Sequence, residues 1–87
     1  MPQNLYKNLT ASGLVKNGYG NVEGVIISSH TSGTLKLWDS LTASGNTLVN
    51  TITFNVGEHF IDLYDVGYNT GLFATIGGTA DITIVYS

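Results

Sequence analysis

Val22-Glu23-Gly24-Val25-Ile26-Ile27-Ser28-Ser29-His30-Thr31-Ser32-Gly33-Thr34-Leu35-Lys36-Leu37-Trp38-Asp39 is the stretch that decides the fold. Its first part, Val22 to Ser29, is rich in β-branched residues, whose stiff χ1 suits a pleated surface. Gly24 interrupts that run softly, as a bulge or a close backbone approach does. His30-Thr31-Ser32-Gly33 supplies turn residues, and Thr34 to Asp39 then alternates Leu35 and Leu37 with Lys36 and Trp38. The two runs are predicted to pair as a hairpin.

The same punctuation continues outward in both directions. Upstream, Leu5 to Thr10 and Leu14 to Lys16 are short strands, followed by the turn Asn17-Gly18-Tyr19-Gly20-Asn21. Downstream, the polar loop Ser40 to Asn46 leads into a strand from Thr47 to Phe54, and Asn55-Val56-Gly57 turns into Glu58 to Tyr64. Asp65-Val66-Gly67-Tyr68-Asn69 reads as a second loop. Gly71 to Ile76, Gly77-Gly78 and Thr79 to Tyr86 read as a terminal hairpin with a glycine-pair turn. Every window of eleven residues with a helical apolar pattern is broken by a glycine. The expectation is one all-β domain over residues 1–87, an antiparallel β-sandwich of seven to eight strands with jelly-roll-like or Ig-like connectivity. Residues 1–10 are read as an extended arm.

Composition narrows the function. A chain of 87 residues buries a marginal core, and without cysteine neither a disulfide nor a thiolate–metal site can reinforce it. Association with another surface is the remaining reinforcement. There is no Arg, and three Lys face six acids, for a net charge of −3. That excludes the basic surface a nucleic-acid binder needs, and equally an anionic membrane surface. Val25-Ile26-Ile27 is the longest aliphatic run, far short of a spanning helix. No basic region followed by an apolar stretch marks a secretory signal, so synthesis and retention in the cytoplasm are expected. With so little Lys or Pro, the edges of the sheet lack the usual protection against pairing with other chains.

No constellation of residues reads as a catalytic or metal site. Glu58-His59-Phe60-Ile61-Asp62-Leu63-Tyr64-Asp65 is acid-rich, but strand alternation sends His59 away from Glu58 and Asp62, leaving a solvated polar face. Ser28-Ser29-His30 with Asp39 has the residue types of a hydrolytic triad without a nucleophile elbow or an oxyanion loop. No enzyme activity and no cofactor are expected. Asn8-Leu9-Thr10 matches a glycosylation acceptor only by chance, given no export signal.

The aromatic residues are more informative. If Leu35 and Leu37 face the core, Trp38 lies on the outer face, where Trp marks protein interfaces or sugar platforms; a register change would make it a core-edge residue instead. Tyr19 and Tyr68 sit in Gly/Asn-rich loops and Tyr6 near the N-terminus, as contact residues or as packing within their own loops. Trp38, Tyr19, Tyr68 and Tyr6 are the candidate interface residues.

Three segments carry a family likeness: Val22 to Asp39, Asn69 to Tyr86, and Ala11-Ser12-Gly13-Leu14-Val15-Lys16. Together they resemble small β-rich bacteriophage virion proteins, in particular head decoration (cement) proteins. The resemblance implies a structural protein on the capsid surface, made in the host cytoplasm, often trimeric, with the major capsid protein as partner. A tail-fibre or carbohydrate-binding adhesion module has the same features. Size favours association, and the resemblance implies that it takes the form of a trimer, since three copies match the local three-fold axes of an icosahedral shell.

Overall fold

The computed structural model describes residues 5–87; within them there are six strands and no helix. They are β1 (Leu5–Leu9), β2 (Gly13–Asn17), β3 (Gly20–Asp39), β4 (Asn46–Thr53), β5 (Phe60–Tyr68) and β6 (Gly71–Tyr86). All pairings are antiparallel and belong to one sheet. β3 and β6 run side by side along its centre, from Val22 opposite Tyr86 to Trp38 opposite Phe73. β1 and β5 flank one half of this pair, and β2 and β4 flank the other.

The all-β antiparallel class is as expected, but the strand count is six rather than seven to eight. Both predicted hairpins at His30–Gly33 and Gly77–Gly78 are single strands that bend without reversing. At the bend, Thr31 faces Thr79 and Thr34 faces Gly77, so Ser32 and Gly33 lie against Gly78 alone. Ser32 (φ 50°) and Gly78 (φ 67°) are both left-handed. A side chain on Gly78 would run into the Ser32 carbonyl, so only glycine allows the two backbones to approach this closely. Two further register shifts against β6 leave Glu23 and Ser28 as extra residues on β3. Bulges bend a strand and increase its twist, and three on one strand curve the sheet.

The curved sheet carries an apolar, buried face. Val25, Ile27, Leu35 and Leu37 of β3, and Leu72, Ala74, Ile82 and Ile84 of β6, are buried to 2% exposure or less. No helix lies among the described residues, so strand and loop residues cover them. The molecule measures 32 × 30 × 18 Å, and its short axis fits two β-layers about 10 Å apart with their outward side chains. Leu9, Phe54, Leu63 and Tyr68 complete a single core.

Leu5–Leu9, expected as a short strand within an extended arm, is a strand docked on β6 in unbroken register from Leu5 opposite Tyr86 to Leu9 opposite Ile82. The remaining arm residues, 1–4, lie outside the described residues. The loop expected at Asp65–Asn69 is also largely strand. Between Val22 and Gly24 the partner strand passes from Val66 to Asp62, so β5 carries a two-residue bulge. Tyr64 (φ 56°) and Asp65 (φ 58°) form it. The bulge shifts the alternation, so Leu63 and Tyr68 both point inward despite the odd spacing between them.

Candidate interaction faces

Trp38 lies on the outer face of the layer built from β2, β4 and the adjoining halves of β3 and β6. Leu35 and Leu37 are fully buried on the opposite face, as the alternation requires. In antiparallel pairs, directly opposed residues share a face, so Leu14, Phe73, Trp38 and Thr47 form one row across four strands. Trp38 is half-buried and its indole Nε1–H donates to Thr75 Oγ1 at 3.0 Å, which fixes the ring along the sheet. Lys36 Nζ sits 4.2 Å from the ring centroid. This cation–π contact keeps the ammonium close to the sheet surface. The patch is therefore aromatic and cationic, with Leu14 at its edge 39% exposed.

The other layer presents a different outer face. Tyr6 faces Val85, and Val85 faces Gly24; Asn8 faces Thr83, Thr83 faces Ile26, and Ile26 faces Phe60. Tyr6, Ile26 and Phe60 are 78%, 43% and 50% exposed. Gly24 permits this arrangement, because a Cβ there would stand 2.7 Å from Phe60 Cε1. The Phe60 ring thus lies across the glycine, covering backbone that a side chain would otherwise cover. Asp62 and Asp81 share this face. Asn8 Nδ2 donates to Asp81 Oδ1 at 2.7 Å and to the Ile82 carbonyl at 2.9 Å, which pins the β1 edge to β6. Ile26 and Phe60 were not among the sequence candidates. The run Val25-Ile26-Ile27 carries the signal, since three consecutive apolar residues on a strand must send the middle one to the far face.

Between the two faces, at the bend, Ile27 to His30 and Val56 to His59 line an open groove of about 230 Å³. His30 Nε2–H donates to the Asn55 carbonyl at 2.9 Å, and Nδ1 accepts the Gly33 N–H at 3.3 Å. A carbonyl can only accept and a backbone N–H can only donate, so the pair assigns the neutral Nε2–H tautomer. The ring also meets Phe54 edge-on at 5.4 Å. Glu58 Oε1 accepts the Asn55 N–H at 3.0 Å, and the His59 carbonyl accepts the Ile27 N–H at 2.7 Å. These groups are used to hold the β4–β5 turn against β3. β5 begins at Phe60, so Glu58 and His59 precede the strand on which they were expected to alternate. Among the described residues no three His, Asp or Glu side chains come together as a metal site.

Asp39 is likewise occupied elsewhere than beside His30. Its Oδ1 accepts the backbone N–H groups of Thr70 (2.8 Å), Asn69 (3.0 Å) and Gly71 (3.5 Å). The Thr70 bond, with those from Asn69 and Gly71, outweighs partial burial and holds the carboxyl below its ordinary value of 3.8. The carboxylate clasps the β5–β6 turn to the end of β3.

Of the tyrosine candidates, Tyr6 and Tyr19 are 78% and 79% exposed, Tyr6 on the acidic outer face and Tyr19 in the β2–β3 turn. Tyr68, expected in a loop either as a contact residue or packed within that loop, is instead on strand β5 and 1% exposed in the core, so it is not a contact residue. The β5 bulge turns it inward, and its hydroxyl donates to the Ser87 carbonyl at 2.9 Å. Burial, reinforced by the neighbouring Tyr86, pushes its phenol up to about 12. The site thus consists of two outer faces of different character, one acidic and apolar, one cationic and aromatic. No family model matches the chain, and no curated protein matches it either.

Proposed function

We propose that this chain is a structural binding module that works through its outer faces, as a virion component and specifically a decoration (cement) protein of the phage head. Its two layers act as the two sheets of a sandwich whose purpose is to present those faces. The observation that carries the reading is the group of Tyr6, Ile26 and Phe60 on two adjacent rows of one outer face, 43–78% exposed in a chain with so small a core. Contiguous apolar surface of a few hundred Å² on a small domain marks an interaction site. The family likeness of Val22 to Asp39 and Asn69 to Tyr86 directs that interaction to a capsid, with the major capsid protein as partner and the capsid surface as location. A homotrimer on a local three-fold axis would bury the faces against neighbouring copies and capsomers, and many copies per particle add modest affinities.

The test is binding of the purified chain to emptied, expanded capsids, read by co-sedimentation and by the temperature at which the particles rupture. Saturable binding that raises the rupture temperature is expected. Failure to bind capsids, combined with binding on a glycan array, would replace this reading with the adhesion-module alternative. In that case Trp38, beside Thr47 and Thr75, would be the sugar platform.

A further inference from the structure

We propose that the acidic apolar face of one copy docks on the cationic aromatic face of another, so that the chain associates head to tail through two different surfaces. This deepens the self-association within the functional reading above and rests on it. The first surface is Tyr6, Ile26 and Phe60 with Asp62 and Asp81 on the same side of the sheet. The second is Leu14, Phe73 and Trp38 with Lys36.

Three observations select a second copy in this orientation. The first is charge. Face-to-face pairing of the acidic surface with itself would bring Asp62 and Asp81 toward their own copies. Pairing it with the Lys36 surface sets opposite charges against each other, and complementary charge fixes orientation in an interface. Lys36 is also ready for this role, because its contact with Trp38 holds the ammonium at the sheet surface and reduces the side-chain freedom lost on docking.

The second is area. An aromatic side chain covers about 150–250 Å², so the exposed parts of Tyr6, Phe60 and Ile26 offer roughly 300 Å². A standard interface of about 800 Å² per partner, a little over half of it apolar, needs roughly 450–500 Å² of apolar area per side. Val85 and the Thr83 methyl, between those residues, add to that area.

The third is the condition of the sheet edges. β2, β4 and β5 all carry bulges, which break the flat ladder that edge-to-edge pairing needs. The fourth edge, β1, has an even ladder but sets Lys7 on its core side, so association is directed to the faces. Head-to-tail contacts close into rings or continue as stacks according to the rotation between copies, so charge pairing, not copy number, identifies the contact.

A charge-swap experiment on the full chain tests the proposal by sedimentation velocity at about 50 mM and about 500 mM salt. The wild type is expected to self-associate, and more weakly at high salt. Lys36→Glu and Asp62→Lys, each alone, place like charges across the contact and should weaken association about tenfold or more. Their equimolar mixture contains one native contact and one fully swapped contact, and should restore association to near the wild-type level. Thr83→Lys, at the centre of the acidic face, replaces Asp62→Lys if far-UV circular dichroism shows the latter unfolded. A wild type that stays monomeric at high micromolar concentration overturns the proposal, as does a mixture no stronger than its components. Loss of association with Asp62→Lys but not with Lys36→Glu overturns it in favour of the acidic face pairing with itself. Capsids are absent from this assay, so its outcome is independent of whether the chain binds them.

Discussion

Replacing Asp39 should open the turn between β5 and β6 and cost a measurable fraction of the stability of a small domain. Its carboxylate receives two short backbone bonds, from Thr70 at 2.8 Å and Asn69 at 3.0 Å, and a long one from Gly71 at 3.5 Å. A hydrogen bond to a charged group contributes about 1.5–3 kcal/mol when water is excluded. Asp39 is only half-buried and the 3.5 Å contact adds little, so the whole clasp is expected to be worth about 2 kcal/mol. Asp39→Ala should therefore lose about 2 kcal/mol, and Asp39→Asn, which retains an uncharged acceptor, about 1 kcal/mol. The pH dependence gives a second reading. Because the folded carboxyl lies below 3.8, the fold binds a proton less readily than the unfolded chain. The stabilisation is fully present above the unfolded value and is lost as pH falls through the lower folded one. Urea unfolding followed by Trp38 fluorescence, from about pH 6 down to about pH 2, should show the gap between wild type and Asp39→Asn closing below about pH 4. The reasoning is refuted if Asp39→Ala falls within about 0.5 kcal/mol of wild type. It is also refuted if the gap to Asp39→Asn is the same at both ends of the pH range.

Other perturbations test the core and the bend. Tyr68→Phe removes the bond to the Ser87 carbonyl and should cost about 1 kcal/mol near neutral pH in urea unfolding. The fold retains the Tyr68 proton up to about 12 whereas the ordinary phenol releases it at 10.0, so stability should fall across that window as pH rises. The slope is at most about 1.4 kcal/mol per pH unit, and the loss relative to Tyr68→Phe should be absent below pH 10. Gly78→Ala should destabilise by about 2 kcal/mol or more, since it combines left-handed strain with a collision against Ser32, while Ser32→Gly should be neutral or stabilising by up to about 1 kcal/mol in the same thermal melts. Leu37→Ala, which empties a fully buried position in the central strand, should cost about 2–5 kcal/mol.

Most segments that read as extended in the sequence are extended in the structure, Glu58 and His59 ahead of β5 being the main departure, and the burial of Leu35 and Leu37 against an outward Trp38 follows from alternation alone. What local sequence could not separate was a turn from a bend. A tight hairpin places its left-handed residues in succession on one chain, whereas the bend here divides them between Ser32 and Gly78, on strands forty-odd residues apart. The residue types are the same in both cases, and only the pairing partner distinguishes them. Tyr68 was obscured in a similar way. Asp65, Gly67 and Asn69 around it are loop formers, and the Tyr64–Asp65 bulge that turns it inward has no signature of its own in the sequence. On the faces, Trp38 and Tyr6 were legible as outward residues, while Ile26 and Phe60 were hidden because their apolar character resembles that of the core. The role of Asp39 depends on backbone N–H groups some thirty residues away, and residue type does not record them.

The bulged edges bear on how densely this protein can be packed. Among the described residues four strands are bonded on one side only, and three of them, β2, β4 and β5, change register along their length. On β4, the Thr51 N–H in the bulge is taken by Asn50 Oδ1 at 2.8 Å. β1 has an even ladder, but Lys7 stands opposite the buried Ile84, which sets a charge on the core side of that edge. A chain with three cations and one proline thus resists fibril growth through backbone geometry in place of charge. At a local concentration where an even-edged sheet would template its neighbours into amyloid, each copy can then remain a separate folded unit.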